Sequence, residues 1–321
     1  EFGTWITDYT TPKPGRYHAG LAAGQSSQAG FILDLLVDSL VERGGYDEAD
    51  FCTRLDRELF PRLDGTPLHG PGGYTSQAIR ESWRRRVKLG KPWGDCAGLA
   101  DTTEAAERSM ALAIRYAHDP AALARHVSAN TALTQRDTTV MAMTVAYASV
   151  LGALLRGEPL DGELSGKLMA LVHAGQLPFH SVTSEGEHVV PPGPEAPRHA
   201  GQFPSPDALL TASCIARAAA DPAIAIEPAW KVSLVYGMPC AVYHQFPAAY
   251  YLAARFQGDF ESAVLSAVNG GGQNMARAML TGALCGALGG VAAIPARFLD
   301  GLEHVAGRSA QAMRLAGQAA A

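Results

Sequence analysis

Apolar side chains recur at helical spacing along almost the whole chain, and no segment alternates as a half-buried strand would. Between Phe31 and Val41 the apolar residues at 31, 32, 35, 36, 37 and 40, among others, make one wide stripe for a core. Gly44-Gly45 follows, as a left-handed cap would, and Tyr46-Asp47 leads into a second helix over 48–60. Asp119-Pro120 reads as an N-cap with proline at the first helical position, starting a helix to about Leu133. Asp137 caps the segment 138–155, TTVMAMTVAYASVLGALL, which is apolar nearly all round and therefore central. Further helices are predicted at 162–174, 206–220, 230–236, 240–256, 260–268, 275–288 and 295–321. The fold class is all-α: one domain over 1–321, about a dozen helices around one or two buried ones. A long loop or lid is expected over 185–202, where four prolines interrupt the pattern.

Charge and cysteine usage narrow the function. The net charge is −5 and no face is basic enough to hold a phosphate backbone, so nucleic acid is not the expected partner. Five widely spaced cysteines without a C-x-x-C argue against a disulfide framework or a zinc site and for free thiols in a reducing cytosol. No run of 18 uncharged apolar residues and no signal peptide is visible, so the expectation is a cytoplasmic protein with no membrane span. The sequence does not specify an oligomeric state.

Two glycine-bearing turns precede helices. Gly270-Gly271-Gly272 before Gln273, Asn274 and Met275 either lets two helices approach closely or presents backbone N–H groups to a ligand at a helix N-terminus. Ser26, Ser27 and Gln28 stand in the same relation to the next helix, as plain caps or as ligand contacts. Glu104 and Glu107 are three residues apart, either as a solvated face paired with Arg108 and Arg115 or as an acid–base pair in a cleft. The basic stretch 82–91, SWRRRVKLGK, reads as a solvated helix end.

Taken together, four blocks resemble the ADP-ribosylglycohydrolase (crystallin J1-like) family. They are GQSSQAGFILDLLVDSLVERGGYDEADF (24–51), DTTEAAERSMALAIRYAHDPAAL (101–123), TALTQRDTTVMAMTVAYASVLGALLRGE (131–158) and NGGGQNMARAMLTGALCGALGGVAAIP (269–295). The resemblance runs over essentially the whole chain and implies a compact multi-helix bundle. The family holds two magnesium ions with aspartates and threonines of its first and last motifs. Where it has Thr-Asp-Asp-Thr, this chain has Ser26-Ser27-Gln28-Ala29; where it has Asp-x-Asp-Thr, this chain has Gln273-Asn274-Met275-Ala276. Magnesium is a hard ion normally held by carboxylates, and neutral amides cannot offset the repulsion of two close divalent cations. No metal site and no cofactor is therefore expected.

Arg108 and Asp137 stand where the family has its buried arginine and an aspartate. By the same resemblance His18 lies near the cleft, and Tyr243, His244 and Gln245 lie on the helix that lines the substrate side. Glu1-Phe2 resembles the middle of a family motif, with the first family helix missing before it; Glu1 is then a pocket residue, unless those residues are a cloning scar. The expected ligand is a small polar molecule, neutral or anionic, contacted by Ser26, Ser27, Gln28, Gly271, Gly272, Gln273, Asn274, Met275, Tyr243 and Arg108. Acid–base work is expected from Glu104, His18, His244 or Asp101. Three functions follow. One is a metal-independent, repurposed enzyme performing hydrolysis, elimination or isomerisation on a small polar or heterocyclic molecule. The second is a non-catalytic binding or structural protein, and the third a residual ADP-ribosyl glycohydrolase.

Overall fold

The computed structural model describes residues 5–180, 203 and 205–319. The expected lid at 185–202 and the expectations on Glu1 and Phe2 lie outside the described residues. Among them are fourteen α-helices and no strand; three isolated bridges, Gly98 with Gln135, Thr102 with Ala241 and Phe179 with Phe203, are the only strand-like pairings.

The centre is α6 (Thr138–Leu155), begun where the Asp137 carboxylate accepts from the N–H groups of Thr139 and Val140. It packs against α4 (Glu104–Arg115), α5 (Pro120–Ala132), α8 (Asp207–Ala220), α10 (Val242–Phe256) and α12 (Asn274–Gly289). No stripe has to face water, so every side is apolar. By length and composition alone α6 could cross a membrane, yet 72% of it is buried inside the bundle. Its Tyr147 stacks on Phe246 of α10 with ring centroids 5.1 Å apart. The Tyr147 hydroxyl donates to the Leu280 carbonyl of α12 at 2.8 Å, so three helices meet at one fully buried side chain.

The flanking helices begin and end where the sequence places its caps. Helix α1 (Gln28–Arg43) stops at Gly44, whose φ of 74° is left-handed. Helix α5 starts at Asp119, which accepts from Ala122 N at 2.9 Å. Two expectations need correction. The helix over 48–60 is α2 (Glu48–Arg54) followed by a wider π turn, Leu55–Leu59, and a short 3₁₀ turn. The segment 295–321 is not one helix but α13 (Ala296–Asp300) and α14 (Val305–Ala319). Gly301 to His304 separates them, with His304 at φ 56°.

That break places the C-terminal segment on the start of α1. Glu303 N donates to Gly24 O at 3.0 Å, Ser26 N donates to Glu303 Oε1 at 2.8 Å, and Arg308 Nη2 donates to Ser26 Oγ at 2.6 Å and Asp34 Oδ2 at 2.7 Å.

Candidate functional site

Four elements converge on one cleft. They are the N-terminus of α1, the turn before α3 (Gln77–Trp83), the N-terminus of α4 and the N-terminus of α12. The cleft is narrow: the centre of a water molecule has about 20 Å³ of room in it. Its lining combines apolar side chains, Ala29, Ile32, Tyr74 and Met275, with the polar ones of Glu104, Glu107, Arg108, Ser76, His18, Gln28 and Gln273.

The polar part of the lining is built by pinning the loop before α4. Gly98 exchanges backbone hydrogen bonds with Thr134 and Arg136, each at 3.0 Å. The buried Gln135 amide donates to the carbonyls of Ala100 at 2.9 Å and Thr102 at 2.7 Å, and accepts from Ala105 N at 3.0 Å. Val242 N, opening α10, donates to Asp101 O at 2.9 Å. The first turn of α4 is therefore fixed from two sides, and it carries both glutamates.

Thr103 is the N-cap of α4, but its hydroxyl donates to Glu107 Oε1 at 2.6 Å rather than capping the backbone. The hydroxyl of Thr102 donates to Glu104. Burial pushes both carboxyls above the usual range, and Glu107 also feels the charge of Glu104. The pair therefore holds a proton to higher pH than free carboxylates do.

Arg108 is fully buried and donates to uncharged acceptors: Asn130 Oδ1 at 2.6 Å, Asn130 O at 2.9 Å, Thr134 Oγ1 at 2.8 Å and Glu104 O at 3.4 Å. Burial lowers its pKa to about 10, so it stays charged. With most of its donors engaged and two carboxyls beside it, it does not turn the cleft into an anion site.

Gln28 is buried with both ends of its amide occupied: Nε2 donates to Thr75 Oγ1 at 2.9 Å and Oε1 accepts from Ser76 N at 3.2 Å. His18 Nδ1 lies 2.7 Å from Gly72 O; a carbonyl only accepts, so the proton sits on Nδ1 and the neutral ring keeps Nε2 as a base. Its ring meets Tyr74 edge-on at 5.8 Å.

The structure brings Glu104, His18, Gln28, Gln273, Met275 and Arg108 to the cleft lining, and sets the other predicted site residues elsewhere. Ser27 caps α1 through Gly30 N, and Ser26 is held by Glu303 and Arg308. Asn274 turns away and donates to Val268 O at 3.1 Å. Gly271 and Gly272 form the left-handed turn before α12, where a Cβ on Gly272 would come within 2.6 Å of Met238. The exposed Tyr243 donates its hydroxyl to Asp101, and His244 Nδ1 is 2.5 Å from Tyr236 O, so these three lie beside the cleft rather than in its wall.

Tyr74 and Ser76 join the site without having been singled out. Tyr74 ends the turn-rich stretch 61–74, and Ser76 is the N-cap of α3. Glu107 was visible through its spacing but is 2% exposed rather than on a solvated face.

The donor set does not fit a pair of magnesium ions. The Gln28 amide is already spent on Thr75 and Ser76, and the hydroxyls of Thr102 and Thr103 donate to the two carboxyls. Among the described residues no three His, Cys, Asp or Glu side chains are grouped so as to hold a metal.

A family model described as ADP-ribosylglycohydrolase matches residues 1–321. Among solved structures, an ADP-ribosylglycohydrolase-related protein complex superposes with a TM-score of 0.62 at 20% identity, over 99% of this chain and 88% of that chain. At that identity the likeness concerns the fold, which is the same all-α bundle. A search of curated proteins returned no match. The chain belongs to the ADP-ribosylglycohydrolase family.

Proposed function

We propose that this protein is a metal-independent enzyme of the ADP-ribosylglycohydrolase fold, acting on a small polar or heterocyclic molecule by acid–base chemistry. The observation that carries this reading is the Glu104–Glu107 pair: two carboxyls on one helical turn, both lining a single cleft and both raised in pKa by burial. Such a pair offers one protonated and one ionised carboxyl near neutral pH, the requirement for moving a proton to one substrate atom and from another. Hydrolysis of a glycosidic bond is the first reaction to test, because the family consists of hydrolases. Elimination and isomerisation draw on the same two groups. His18 Nε2 supplies a third base at the mouth.

The apolar side chains of Ala29, Ile32, Tyr74 and Met275 favour the flat face of a ring, and the unbonded side-chain amide of Gln273 offers it a donor and an acceptor. The narrowness of the cleft favours a second reading, a non-catalytic binding protein. Turnover separates the two. A panel of glycosides, ADP-ribosyl conjugates and small heterocycles is assayed in excess EDTA with the wild type, Glu104→Gln and Glu107→Gln. Turnover that survives chelation and is lost in both variants supports the enzyme. Turnover that requires added magnesium contradicts it, and thermal stabilisation by a ligand without turnover supports the binding protein.

A further inference from the structure

Helix α4 is capped from outside its own turn. A capping side chain normally belongs to the N-cap residue, whose extended backbone lets it reach the second or third N–H of the helix. Asp137 does this for α6, with ψ 127° and bonds from Thr139 N and Val140 N. Thr103, in the same place before α4, has φ −86° and ψ 0°, a helical conformation, and its side chain takes no N–H of the helix. The second N–H of α4, that of Ala105, donates instead to Gln135 Oε1 at 3.0 Å, across 30 positions of chain.

The orientation of the Gln135 amide is forced. Its nitrogen faces the carbonyls of Ala100 at 2.9 Å and Thr102 at 2.7 Å, which only accept, so its oxygen is the atom left for the N–H. The side chain is fully buried and its backbone is pinned: Gln135 N donates to Thr131 O at 2.9 Å, while Thr134 and Arg136 on either side pair with Gly98. One amide thus governs two threonines. It holds Thr102 by its carbonyl, and the Thr102 hydroxyl donates to Glu104. It replaces the cap that Thr103 would otherwise supply, and the Thr103 hydroxyl donates to Glu107 Oε1 at 2.6 Å.

We infer that Gln135 is the positioning residue of this site: by capping α4 from the α5–α6 turn it releases Thr103 to hold Glu107 and fixes Thr102 beside Glu104. The inference rests on the acid–base reading above. Gln135 does not line the cleft and moves no proton; it acts through the two threonines. Without it, the nearest cap for Ala105 N is Thr103 itself, turned to the extended conformation, and that turn withdraws the hydroxyl from Glu107. The other charged or titratable groups around Glu107 are Glu104 and Arg108 on its own helix, Cys240 just before α10, and His18 and Tyr74 in the cleft. None of them is altered by the substitutions that test the role.

The test needs no substrate. The 321-residue protein, labelled with ¹³C at the glutamate Cδ, is titrated by NMR, with Glu107→Gln identifying the Glu107 signal. A hydroxyl donated to a carboxylate favours its ionised form, so Thr103→Val is expected to raise the Glu107 midpoint by about one pH unit and Thr103→Ser to leave it in place. Gln135→Met, of similar shape without the amide, is expected to raise the midpoint by a similar amount and to add nothing in the Thr103→Val background. If Gln135→Met does not fold, Gln135→His, whose ring accepts at one nitrogen and donates at the other, is expected to give a smaller shift that likewise vanishes beside Thr103→Val. A Glu107 midpoint that the Gln135 variants leave unmoved, or shifts that add in full to that of Thr103→Val, overturns the positioning role while leaving acid–base catalysis standing. Both carboxyls of the wild type ionising at an ordinary carboxylate pH overturns the acid–base reading itself, so the two failures are distinguishable.

Discussion

The Gln28 side chain donates to the hydroxyl of Thr75 at 2.9 Å. Together with the bond it accepts from Ser76 N, this ties the N-terminus of α1 to the N-terminus of α3 through an uncharged amide. Gln28→Ala leaves the Thr75 hydroxyl and the Ser76 N–H without these partners in a buried setting. A loss of roughly 1–3 kcal/mol is expected in urea denaturation, with an unchanged m-value.

The raised carboxyls make stability depend on pH. A carboxyl with a higher pKa in the folded state than in the unfolded one binds its proton more tightly when folded. Its contribution is complete below the unfolded value of 4.5 and is lost as pH rises through the folded value, at about 8 for Glu107. The wild type is therefore expected to lose stability across that window, and Glu107→Gln to flatten the slope and be the more stable protein at pH 9. Melting temperatures from pH 4 to pH 9 measure both.

The buried Arg277 has only neutral acceptors: Ala267 O at 3.0 Å, Gly271 O at 2.6 Å and Gln245 Oε1 at 3.4 Å. Two of these are carbonyls at or just beyond the C-terminal end of α11 (Phe260–Asn269), where the helix dipole favours a cation. Arg277→Met strands those carbonyls and is expected to cost roughly 3 kcal/mol in chemical denaturation. Arg277→Lys cannot reach all three acceptors and should recover only part of the loss.

Much of the bundle could be read from the chain because its signals are local. Asp137 and Asp119 cap helices that begin at Thr138 and Pro120, and Gly44 ends one with the left-handed φ that its position asked for. The C-terminal break was not readable: Glu303 is held by Gly24 and Ser26, and Arg308 just beyond it by Asp34, partners 274 to 279 positions away. The cleft was half legible for the same reason. Helical spacing showed that Glu104 and Glu107 share a face, but their burial is set by Ser76, Gln135 and α10, which spacing does not report. His244, by the family resemblance, and Asp101 read as acid–base candidates, yet their hydrogen bonds go to Tyr236 and Tyr243.

Arg308 holds α14 onto α1 through Asp34, Ser26 and Glu303. These groups are partly exposed, so Arg308→Ala is expected to cost only about 1 kcal/mol overall. The loss should be local: faster amide hydrogen exchange over 305–319, with exchange in α6 unchanged.

The chemistry proposed for this cleft is done by protons and not by a bound cation pair. Isothermal titration of the protein with Mg²⁺ or Mn²⁺, alone and with ADP-ribose present, addresses that directly. No saturable binding in the micromolar range is predicted. A micromolar site of two ions per chain, weakened by Gln28→Ala or by Glu104→Gln, would contradict it.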